Sequence, residues 1–297
     1  MKSRSRLRTL AEYAAARAIV ASLAIGPASL AFRIARGYAA ILDRAVPKLR
    51  RTARRNLTLA LPESDHGALV DASFDSIARI LVAMARFPKI DGSNVRQWID
   101  YDGFEHYQRA LEKGRGVLFA TAHLGNWELS AFAHALMAKP MHIVVRALDN
   151  PRIDSLVRHL RSLSGNHVIE KRDYARGILR ALHRNEAVGI LIDQNVAADE
   201  GIFTDFFGVK ACVSAGIARI AAKTGAAVIP GFALWSSAQQ RYVLKFYPPV
   251  DISGDEVEDT RRIHATLENA IRQYPDQWLW MHRRWKTRPP GEPPIYP

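Results

Sequence analysis

From residue 99 onward, compact apolar runs alternate with helix-patterned segments, and this restricts the architecture more than any other feature. The runs are GVLFATA (116–122), MHIVVRAL (141–148), EAVGILIDQ (186–194), AAVIPGFALW (226–235) and RYVLKFYPPV (241–250). Each is short and largely apolar, as a buried strand requires. Between and after them, NWELSAFAHALMA (126–138), PRIDSLVRHLRSLS (151–164), DYARGILRALHRN (173–185), SAGIARIAAKTG (214–225) and DEVEDTRRIHATLENAIRQYP (255–275) read as helices. Pro151 suits a first helical turn and Gly225 a helix end. An earlier helix is expected over 63–88, with apolar positions at Leu69, Phe74, Ile77, Ile80, Leu81 and Met84 and a stop at Pro88. The expected fold is α/β, a mixed central sheet covered by helices on both faces. Functional groups then belong on loops at the C-terminal ends of strands.

Charge is distributed unevenly. Residues 1–60 hold thirteen Lys or Arg against Glu12 and Asp43, a net +11 out of the chain's +13. A basic end on a near-neutral body needs an anionic partner, whether lipid, nucleic acid or an acidic protein. Residues 18–32 carry no charge and lie between Arg17 and Arg33. Fifteen residues are short for a span, which needs roughly 20, and Gly26-Pro27 would kink or break a helix there. The expectation is a shallow or barely spanning membrane helix followed by a basic amphipathic stretch, PKLRRTARRNLTLALP, on the cytoplasmic side. The chain divides accordingly into a basic, membrane-associated helical segment (1–60) and an α/β domain (61–297). The single cysteine, Cys212, excludes an intrachain disulfide and sits in an apolar run that reads as core.

The chemistry centres on TAHLGNWELS. His123 follows a strand directly, and Gly125-Asn126 opens a helix that carries Glu128. A histidine beside a carboxylate suits proton removal from a hydroxyl: the imidazole takes the proton and the carboxylate fixes its tautomer. No G-x-S-x-G elbow supplies a nucleophile, so a substrate hydroxyl is expected to attack directly. The same H-x4-acid spacing recurs at His66 and Asp71, but inside a helical region. Five residues turn about 140° from the start there, so the two side chains diverge.

TAHLGNWEL resembles the H-x4-D/E block of glycerolipid-type acyltransferases. The chain more closely resembles the bacterial lipid A biosynthesis, or late, acyltransferases. RALDNPRIDSLVRHLRS, GILIDQN, FFGVKACVSAGIARIAAKTGAAVIPGF and LWMHRRWKTRP extend the likeness over about residues 10–290. The resemblance implies an inner-membrane enzyme on the cytoplasmic face. Its donor is an acyl thioester, on acyl carrier protein or CoA, and its acceptor a phosphorylated sugar lipid. It implies His123 and Glu128 as the catalytic dyad, with Arg161 near the reacting carbonyl. Arg146, Asn126, Asn150, Asp193 and Gln194 are then the substrate-binding candidates. Neither a metal nor a cofactor is expected, and no nucleic acid partner.

Plainer roles stand beside these. Arg161 can be a solvated helix residue, Asp193 a turn cap, and Arg146 a partner for Asp149. HRRWKTRP fits a surface basic segment as well as a phosphate contact. Two other readings of the whole chain are open. One is the same chemistry on a glycerophospholipid or glycolipid. The other is a non-catalytic basic protein binding nucleic acid through residues 44–55, although that stretch lacks interleaved aromatics and any recognised motif.

Overall fold

A computed structural model describes residues 5–170 and 174–296. Lys2, Arg4 and Asp173 lie outside them. Seven strands form one mixed sheet in the order β1-β9-β8-β2-β5-β3-β4. They are β1 (Ile99–Asp102), β2 (Val117–Thr121), β3 (His142–Val145), β4 (His167–Glu170), β5 (Ala187–Leu191), β8 (Ala227–Ser236) and β9 (Arg241–Phe246). β2, β3, β4, β5 and β8 run parallel. β9 turns back antiparallel to β8 and carries β1 beside it. A separate hairpin joins β6 (Ile202–Phe206) to β7 (Val209–Val213).

Side-chain alternation along β2 shows why both sheet faces must be covered. Val117 and Phe119 enter one buried cluster, with Leu129 and Phe132 of α6 (Trp127–Met137) and Leu160 of α7 (Pro151–Ser162). Tyr107 and Ala110 of α5 (Phe104–Glu112) complete that layer. Leu118, Ala120 and Ala122 enter the other, with α8 (Tyr174–His183), α9 (Gly216–Thr224) and α10 (Glu256–Gln273).

The uncharged 18–32 run is not one helix. α1 (Arg6–Ala24) ends before Gly26, whose φ is +72°, and α2 (Ala28–Ala45) begins after Pro27. No helix among the described residues is long and apolar enough to cross a membrane. The expected single membrane helix is therefore replaced by a helical pair, broken where proline removes a donor and crowds the preceding turn.

α3 (Pro47–Ala60) is amphipathic, as its sequence implies, but its apolar face points inward. Ala53, Leu57 and Ala60 share the core cluster with Val70, Phe74 and Ala78 of α4 (His66–Arg86). Only its basic face is left to meet a surface. Leu23 of α1 and Ala31, Ala35 and Ala39 of α2 join the same cluster. Six large apolar side chains of α1, α2 and their joint stay exposed: Leu7, Leu10, Ile25, Leu30, Ile41 and Leu42.

Candidate active site

Parallel pairing of β2 with β5 builds the site. Thr121 registers with Leu191, so the chain leaves both strands side by side. Two residues further on, His123 and Asp193 meet. His123 Nδ1 lies 2.8 Å from Asp193 Oδ1, and the His123 backbone N–H donates to Asp193 Oδ2 at 2.9 Å. The indole N–H of Trp278 donates to the same Oδ2 at 2.8 Å. Asp193 is 2% exposed. Burial alone would raise its pKa, but the His123 ring and the donors from His123 and Trp278 outweigh that and hold it well below the usual range. A buried, ionised carboxylate on Nδ1 fixes the tautomer that leaves Nε2 as the working nitrogen.

Glu128 does something else. Its two oxygens take parallel hydrogen bonds from Arg161, with Nε at 2.8 Å and Nη2 at 2.5 Å. The side chains are 9% and 19% exposed. This fork-to-fork geometry is the strong form of an ion pair. The carboxylate on the imidazole is Asp193, whereas Glu128, expected beside His123, is held by Arg161. Glu128 is the second residue of α6 and faces α7, which carries Arg161, whereas His123 sits one turn earlier on a loop aimed at β5. Arg161 is likewise no solvated helix residue.

Gly125 makes this loop possible. Its φ is +65°, and a Cβ there would stand 1.9 Å from the carbonyl oxygen of Ala233. The tight approach lets Asn126 N–H donate to that carbonyl at 2.8 Å. Asn126 is buried, and its Oδ1 caps α6 by accepting from Leu129 N–H. Asn150 is also buried. It caps α7 and ties it to α1 through Thr9 and Glu12, so its polar atoms are committed to the fold. Arg146 is exposed, 3.7 Å from Asp149. Gln194 places its amide nitrogen 3.4 Å from His123 Nε2.

The decoy pair separates as helix geometry requires. His66 meets the Leu61 carbonyl, and Asp71 meets Arg50. Cys212 is buried in the core.

The C-terminal strap, expected as a basic surface segment, packs against the His123 loop. Leu279 N–H donates to His123 O, and Gly125 N–H donates to Gln277 O. Arg284 is fully buried, and its Nη1 donates to the carbonyls of Gln194 and Cys212. Burial lowers its pKa to about 10 against the opposing pull of Asp193. His282 Nε2 accepts from Asn195 N–H. The density of tryptophan and arginine in WLWMHRRW was the available signal, because such residues are rarely gathered on a merely solvated tail.

Beside the site a narrow slot of about 60 Å³ runs between Trp127, Glu128, Arg161, Met141, Gly189 and Phe246. Its lining is mostly apolar, with Glu128 and Arg161 as its charged members. The Trp127 ring, which lines the slot, lies 4.8 Å from that of His123.

A mixed α/β sheet carrying a histidine–carboxylate pair at a strand end, with a forked arginine beside an apolar slot, defines a class suited to group transfer onto hydroxyls. Residues 1–287 match the family described as bacterial lipid A biosynthesis acyltransferase, and the chain belongs to that family of O-acyltransferases. It is 27% identical over 276 residues to the lipid A biosynthesis lauroyltransferase of Escherichia coli K12, covering 91% of this chain and 90% of that one. The lipid A biosynthesis palmitoleoyltransferase of the same strain is 29% identical, over 82% of this chain and 81% of its own. A lipid A biosynthesis acyltransferase of Haemophilus influenzae is 23% identical, over 82% and 78%.

Proposed function

We propose that this protein transfers a fatty acyl chain from a thioester, on acyl carrier protein or CoA, to a hydroxyl of a lipid A precursor. The observation that carries the mechanism is the seating of His123 on the buried, ionised Asp193. The acceptor hydroxyl gives its proton to His123 Nε2 as its oxygen bonds to the thioester carbonyl carbon. The carbonyl becomes an oxyanion. As the oxyanion collapses, the carbon–sulfur bond breaks and the imidazolium returns the proton to the leaving thiolate. Asp193 stabilises the imidazolium in between.

Arg161 lines the slot, and its charge, shared with Glu128, favours the developing oxyanion. The slot takes the acyl chain. At about 60 Å³ it is too small for a long chain as it stands, so side chains such as that of Met141 must move on binding. Every step uses only protein side chains and the two substrates.

The reaction takes place at the cytoplasmic face of the inner membrane. The exposed apolar residues of α1 and α2, together with the basic excess of residues 1–60, support peripheral seating there. Mass spectrometry of lipid A from cells with and without the protein tests the reading. One additional acyl group should appear with the wild type and be missing with His123→Ala. Lipid A of unchanged mass would sink the lipid A assignment.

A further inference from the structure

Two basic segments far apart in the chain meet across one cavity. Asn56, fully buried on α3, donates 2.7 Å hydrogen bonds to the carbonyls of Trp280 and His282, the latter 226 positions away. The Tyr296 hydroxyl donates to the other end of its amide at 2.5 Å. This clamp holds α3 against the C-terminal strap. Between them lies a cavity of about 470 Å³, where Lys48 and Thr52 face Arg283, Lys286, His282 and Asn195.

The three cations are exposed. Arg283 lies over the Tyr296 ring at 5.7 Å. Among the described residues none of the three forms an ion pair. His282 is not a fourth cation. Its Nε2 accepts from Asn195, and burial pushes it down to about 4. Like charges gathered in a concavity repel one another unless an anion joins them, and a phosphate monoester brings about −1.5 to −2 charges at neutral pH, a diester about −1. Asn195 adjoins Gln194, whose amide is 3.4 Å from His123 Nε2. An anion held against Asn195 therefore lies one residue along the chain from the Gln194 amide that approaches the base.

We propose that Lys48, Arg283 and Lys286 bind a phosphate group of a substrate while His123 acts on the same molecule or its reaction partner. The proposal rests on the acyl-transfer reading. The phosphate has two sources, an ester on the acceptor lipid or the phosphopantetheine arm of the thioester donor.

The test is initial-rate kinetics of the full-length wild type and the paired variant Lys48→Gln/Lys286→Gln, varying one substrate at a time. Each substrate is also supplied without phosphate: a phosphatase-treated acceptor, and an acyl pantetheine in place of the phosphorylated donor. A lost charge-assisted contact is worth about tenfold in affinity. The KM of one substrate should rise about tenfold or more, with kcat within a few fold. The phosphate-free form of that substrate should be used equally by both proteins. Whichever substrate responds identifies the source. Unchanged KM values for both substrates, or an equal loss with phosphate-free substrate, overturn the proposal. If the wild type transfers no acyl group, the acyl-transfer reading fails, and titration with inorganic pyrophosphate decides the cavity separately. Binding weakened about tenfold in the paired variant supports it; equal binding overturns it.

Discussion

The Trp278 indole and the His123 backbone N–H converge on one oxygen of Asp193, at 2.8 and 2.9 Å, leaving the other oxygen to the imidazole. A carboxylate so placed cannot rotate away from the ring. Trp278→Phe keeps most of the packing and removes one donor from a buried charge. It should destabilise the fold by roughly 1–3 kcal/mol and lower kcat without changing KM for the donor. Thermal melts and steady-state kinetics on the same preparation check both. A variant with wild-type kcat would show that the indole only packs.

Glu128 and Arg161 stand or fall together in stability. Removing either leaves the other charge largely buried and unpaired, which costs about 3–5 kcal/mol. Replacing both with apolar residues of similar size, as in Glu128→Leu/Arg161→Met, should restore most of the lost stability and none of the activity. Chemical denaturation separates the two effects. If the double variant is no more stable than the singles, the pair is not the closed unit its geometry describes.

Acid should destabilise the fold through its buried histidines. His264 is fully buried with both ring nitrogens unpartnered, and burial pushes it down to about 3 from an ordinary 6.5. The unfolded chain binds a proton below about 6.5 that the folded chain refuses. Stability is therefore complete above that pH and is lost as pH falls towards 3, by up to about 1.4 kcal/mol per pH unit for this residue. His264→Phe should flatten the slope of the denaturation midpoint between pH 7 and 5. An unchanged slope would mean that His264 takes up its proton in the folded state.

The central strands and their helices were legible because each carries a continuous apolar run or a clear helical period. β1 (IDYD) and β4 (HVIE) were not, because both are four-residue edge strands with charged residues in place of such a run. The position of His123 between strand and helix was legible. Its partner was harder to read. Glu128 is five residues away in the sequence, whereas Asp193 is seventy away and arrives only through the register of β2 with β5. The inward turn of α3 was hidden in a similar way. Asn56 reads as one polar residue of an amphipathic helix, yet it is the buried clamp for a strap more than two hundred residues downstream.

The central claim is that His123 and Asp193 act as one unit and Glu128 as part of another. A four-corner kinetic cycle on His123→Ala and Asp193→Asn tests it most directly, with circular dichroism and melting curves confirming that each variant is folded. A general base typically contributes ~10²–10⁴-fold, and groups acting on one proton transfer do not add their losses. The account predicts that His123→Ala lowers kcat by about that factor and that Asp193→Asn adds almost nothing to it. Fully multiplicative losses for His123 and Asp193, with Glu128→Gln instead adding nothing to His123→Ala, would contradict it.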